Sequence, residues 1–67
     1  MDMAFDVIDC DSGRALRLRD EPTAVRYAAA RHAATGNVVE VVRWSEGEAH
    51  QHLVLPPDAP LARQTRH

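Results

Sequence analysis

Residues 38–44, Val38-Val39-Glu40-Val41-Val42-Arg43-Trp44, read as the strongest strand in the chain, four valines gathered around a single glutamate. Side chains alternate along a strand, so Val38, Glu40, Val42 and Trp44 share one face while Val39, Val41 and Arg43 share the other. Both faces are apolar. Whichever set is covered, valines are expected to remain on the far side.

Outward from this strand the neighbours fall into place. Ser45-Glu46-Gly47-Glu48 is a turn, and His50 to Leu55 returns as a second strand that Pro56-Pro57 ends. On the other side, Asp20-Glu21-Pro22-Thr23 is a helix start, with an acidic cap, proline in the first turn and acids near the positive end of the dipole. The helix runs to Gly36-Asn37, a left-handed C-cap signal. Its expected inner face is Val25, Ala28, Ala29, His32 and Ala33, small enough to approach a sheet closely but thin in apolar area. Ahead of the helix, Ala4 to Cys10 and Arg14 to Arg19 alternate around the turn residues Asp11-Ser12-Gly13. An even-numbered turn sets Phe5 against Leu18 and Val7 against Leu16, with Asp6 beside Arg17 on the opposite face. A slip of one residue would spoil both faces at once.

The order strand, strand, helix, strand, strand predicts an α+β fold, ββαββ: a four-stranded, mostly antiparallel sheet with one helix packed on one face. Residues 1–55 form one small domain, and residues 56–67 a proline-rich tail expected to be disordered unless it docks on a partner. The element order looks like that of several small bacterial domains of unknown function, a likeness of layout that carries no catalytic residues with it.

Composition narrows the function. The 67 residues hold three aromatic rings, Phe5, Tyr27 and Trp44, and a chain so short has a thin core. No run nears the ~18 apolar residues of a membrane span, and the acidic N-terminus lacks the form of a secretory signal; a cytoplasmic location is the default. The single cysteine cannot form an internal disulfide. No glycine-rich phosphate loop, paired cysteines or supported catalytic triad occurs, so neither enzymatic activity nor a cofactor is expected. Cys10 stands between Asp9 and Asp11, whose charges disfavour a thiolate, and Asp-Cys-Asp-Ser-Gly lacks the later ligands of a calcium loop. His32 reads as a partly buried residue closing the helix against the sheet.

Three functional surfaces remain. One helix covers one sheet face, so the two-sided third strand points to association, with Val38, Val39, Val41, Val42, Trp44 and Val54 as the candidate interface. A homodimer is the favoured assembly, with another protein as the alternative partner. All eight cationic residues are arginines, and Arg14, Arg17, Arg19, Arg26 and Arg31 form a candidate nucleic-acid surface; ten acids against eight arginines weigh against it. Glu48, His50 and His52 alternate and could share a metal, and an odd turn length would bring Glu40 opposite His52 with Leu53 and Leu55 beside Val39 and Val41. Without a third fixed ligand, two solvated histidines are the commoner outcome.

Overall fold

The computed structural model describes residues 3–58 and comprises β1 (Met3–Asp9), β2 (Ala15–Leu18), α1 (Glu21–Thr35), β3 (Val39–Ser45) and β4 (Glu48–Leu55). The fold is α+β: one antiparallel sheet in the order β2-β1-β3-β4, with α1 packed on one face. The longer pairing of β1 with β3, from Met3 opposite Ser45 to Asp9 opposite Val39, joins the two hairpins. Pro56–Asp58 follow β4 as a bend and turn; the rest of the proline-rich tail lies outside the described residues.

The first hairpin adopts the even register, with Phe5 opposite Leu18 and Val7 opposite Leu16. Asp6 faces Arg17, whose Nε and Nη2 donate to the two carboxylate oxygens at 2.8 and 3.1 Å. That fork holds the Asp6 carboxyl below its usual range, against the opposing effect of burial.

The second hairpin reaches its register by a different route. Glu46 and Gly47 both have positive φ, 54° and 81°, the pattern of a two-residue type I′ turn. Continued unbroken from Ser45 opposite Glu48, that register would set Val41 against His52 and turn Leu53 and Leu55 away from the helix. A bulge intervenes: Val42 faces Gln51 but Val41 faces Leu53, so His52 is the extra residue. The one-residue shift brings Leu53 and Leu55 opposite Val41 and Val39, and all four pack beneath α1. The leucines thus lie where the odd-turn reading put them, but through a bulge after an even turn. Glu40 lies opposite Val54 rather than His52.

Helix α1 starts where its cap predicts. The Asp20 carboxylate accepts from the Thr23 backbone N–H at 2.9 Å and from its hydroxyl at 2.6 Å, and both bonds lower the Asp20 pKa. Gly36 closes the helix at φ 75°, its N–H bonded to the His32 carbonyl. The buried stripe differs from the expected one: Ala24 and Ala28 are buried and Val25, Arg31 and His32 half-buried, while Ala29 and Ala33 face solvent. Two polar ties set this rotation. Arg31 pairs with Asp9 on β1, and His32 Nδ1 bonds the Asn37 carbonyl oxygen at 2.7 Å.

The core is Phe5, Val7, Ala24, Ala28, Val39 and Val41, with Leu18, Leu53 and Leu55 at its edge. The expectation of exposed valines on the opposite face is corrected. Val42 is 2% and Val54 8% exposed, and Glu40 between them is fully buried. β3 is an interior strand, paired along both sides, so neighbours on β1 and β4 flank every residue of that face.

Candidate functional site

Asp9 ends β1 at the corner where the first turn, the helix C-terminus and the start of β3 meet. It is buried, and both its oxygens are fully engaged. Oδ1 accepts from the backbone N–H groups of Asp11 and Ser12 at 3.1 and 3.0 Å and from Asn37 Nδ2; Oδ2 accepts from Asn37 Nδ2 and, at 2.9 Å, from Arg31 Nε. Asn37 makes the largest contribution to driving the Asp9 pKa far below the usual carboxylate range, outweighing the cost of burial. Next to it the Asp11 carboxylate accepts from the Val38 N–H at 2.8 Å, and Cys10 N–H bonds the Val38 carbonyl. The turn read as a simple hairpin loop therefore fastens three elements together.

This fastening shapes a cleft of about 200 Å³ between the first hairpin and α1. Val7 and Asp9 form its floor, Arg14, Ala15 and Leu16 one wall, and Tyr27 and Arg31 the other. Leu16 and Tyr27 are 42% and 40% exposed, two of the three large apolar side chains left open among the described residues. Arg31 spends only its Nε on Asp9, so its terminal nitrogens make no hydrogen bond among the described residues. Neither the Arg14 guanidinium nor the Tyr27 hydroxyl has a bonding partner there either.

Beside the cleft runs an open sheet edge. Asp9 N–H donates to the Arg14 carbonyl at 2.8 Å, which makes Asp9–Arg14 a hydrogen-bonded pair. Antiparallel alternation then makes Val7–Leu16 and Phe5–Leu18 bonded pairs and turns the backbone groups of Ala15 and Arg17 outward.

The candidate residues read from the sequence are scattered by this arrangement. Of the proposed interface, Val39 and Val41 lie under the helix, Val42 and Val54 are buried on the opposite face, and Val38 is half-buried at the Asp11 contact. Trp44 is half-buried too: its Nε1 donates to Asp6 at 3.0 Å, and the Arg17 guanidinium lies 5.8 Å from its ring centroid. Of the arginines, Arg17 and Arg31 are engaged by Asp6 and Asp9. Arg14, Arg19 and Arg26 make no ion pair among the described residues, and they are spread between β2 and α1. The bulge parts the histidines: His52 Nε2 bonds Glu21 at 2.9 Å and its ring meets the Phe5 edge, while His50 stays beside Glu48 at 3.5 Å. No group of three metal-ligating side chains converges among the described residues.

The cleft itself went unread in the sequence. Its signals, an aspartate two residues before the turn and an Asn after the helix C-cap, look like ordinary turn chemistry until α1 brings Arg31 over Asp9. No helix is long and apolar enough to cross a membrane among the described residues. Compared with known proteins, the chain matches no family model, no curated protein and no solved structure.

Proposed function

We propose that the protein is a non-catalytic protein-interaction domain that takes an extended, anionic segment of a partner as a fifth strand on the outer edge of β2. The observation that carries this reading is the open β2 edge running along a cleft with exposed Leu16 and Tyr27. An added strand gains main-chain hydrogen bonds from Ala15 and Arg17, while alternate side chains reach the cleft, the usual division between affinity and specificity. Charge favours an acidic occupant, because Arg14 and Arg19, in no ion pair among the described residues, flank this edge and Arg31 stands across the cleft, while Arg17 is held by Asp6.

The same charges argue against a second copy at this place. Antiparallel pairing of β2 with another β2 would bring Arg14 and Arg19 of each copy, four cations in all, along one short edge, and like charges opposite one another destabilise a sheet. The valines that suggested self-association through β3 are buried within the chain.

The test is an amide chemical-shift titration of the labelled full chain with a capped hexapeptide of alternating threonine and valine carrying one central glutamate. Docking gives shifts centred on residues 14–19 and slowed amide exchange at Ala15 and Arg17. Shifts spread over β4, or none, overturn the reading. Light scattering on the free chain separates the alternative: a concentration-dependent dimer with these amides protected would make the occupant a second copy.

A further inference from the structure

We propose that the cleft between β2 and α1 is a carboxylate receptor, taking the side chain of a glutamate or aspartate on the docked segment; this deepens, and rests on, the edge-docking reading above. Arg31 is held by Asp9 through Nε alone, which fixes its plane and leaves both terminal nitrogens for a second acceptor. A guanidinium presented in this way suits the two oxygens of a carboxylate. Arg14 on the opposite wall supplies a second cation and Tyr27 a hydroxyl.

Arg14 and Arg31 bring two positive charges to the lining and Asp9 one negative, a net of one. Asp9 is saturated by Asn37, Arg31 and two backbone N–H groups, so its charge is directed inward to its own partners. A monoanion balances the remainder, whereas a phosphoryl group near −2 would leave excess negative charge beside Asp9. Val7, Leu16 and the Tyr27 ring offer apolar surface to the methylenes of an acidic side chain, within a cavity of about 200 Å³. Asp9 acts here as a positioning residue, because it orients Arg31 and does not itself meet the ligand.

The experiment compares three hexapeptides on the full-length chain, differing only in whether the central residue is glutamate, glutamine or phosphoserine. In parallel, propionate at tens of millimolar is titrated while the arginine Nε–Hε signals are followed. The glutamate peptide is expected to bind at least fivefold more tightly than the glutamine peptide at low salt. That preference should vanish in Arg14→Ala, whose side chain takes no part in the fold, and propionate should shift the Arg31 signal. Equal binding of the glutamate and glutamine peptides overturns the carboxylate proposal and leaves edge docking standing. Propionate shifts without binding of any peptide overturn edge docking and keep the cleft chemistry. No response in either arm overturns both, and tighter binding of the phosphoserine peptide overturns the choice of a monoanion.

Discussion

The two edges of the sheet are built in opposite ways. β4 is long and carries a bulge at His52, whose side chain bonds Glu21 of the helix, so the regular spacing of its hydrogen-bonding row is interrupted. β2 is four residues long and regular, with its outward row unobstructed. Bulges and charged side chains are the ordinary defences of an edge strand against unwanted pairing. β4 uses the first; β2 relies on shortness and on arginines, which repel another copy of themselves yet attract an acidic strand. A sheet with one guarded edge and one open edge has a direction for docking, and that asymmetry favours β2 as the edge for the proposed partner.

The largest expected effect lies at the corner that shapes the open side. Asp9→Ala removes the acceptor of Arg31, of Asn37 and of two turn amides, leaving a guanidinium and an amide facing an emptied corner. In a domain of this size the midpoint of thermal unfolding should fall by more than about 10 °C in a circular-dichroism melt. The charge has its own signature. The Asp9 pKa is lowered in the folded chain, so its contribution to stability is complete above the ordinary carboxylate pKa near ~4 and is lost as pH falls through that range toward the native value. Asp6 and Asp20, lowered by Arg17 and Thr23, add to the same acid loss. Asp9→Asn should therefore narrow the gap to wild type as pH drops from 5 to about 2; a constant gap would show that the lost charge is not the cause.

Next in size are the two sides of β3. Val41→Ala, under the helix, and Val42→Ala, on the opposite face, should each cost about 2 kcal/mol in urea denaturation, since both side chains are buried. A loss below about 0.5 kcal/mol for Val42→Ala would restore the view of that face as a free surface and return β3 to candidacy as an interface.

How much of this was legible follows from the range of the interactions. The first hairpin was fully readable, because Phe5, Val7, Leu16 and Leu18 alternate without ambiguity and Asp6 and Arg17 agree on the other face. The helix ends were readable from Asp20 and Gly36, whose capping is local. The rotation of α1 was not, because alanines surround the helix and the choice between Ala24 and Ala29 is made by Arg31 reaching Asp9, 22 residues away. The bulge was hidden for a related reason. A two-residue turn and a favourable leucine register conflict by one position, and the sequence holds no mark of where the extra residue goes. The cleft depends on both the hairpin and the rotation, so it could not be assembled from either alone.

The guarded edge can be dismantled with a smaller change. Deleting His52 removes the extra residue of the bulge yet leaves Leu53 and Leu55 opposite Val41 and Val39, so the core register survives. The contacts to Glu21 and the Phe5 ring are lost, an exposed hydrogen bond and an edge contact of modest worth. The melting midpoint should fall by only a few degrees. What should change is association: β4, shortened by one from its eight residues, becomes a regular open edge, and light scattering should detect concentration-dependent association stronger than that of the wild type. If the deleted chain associates no more than its parent does, the bulge is not what guards that edge.

The smallest stability effect tests the open edge most directly. Leu16 is 42% exposed and stands at the rim of the core, so Leu16→Ala should change unfolding stability by no more than about 0.5 kcal/mol. Its value lies on the other side of the comparison: with Tyr27 it forms the apolar rim against which an added strand would settle. Docking of the glutamate hexapeptide should weaken severalfold in Leu16→Ala while the melting curve stays in place. A folding loss comparable with that of Val41→Ala would mean that Leu16 serves the core, and the exposed rim beside β2 would then lose its standing as a surface kept for a partner.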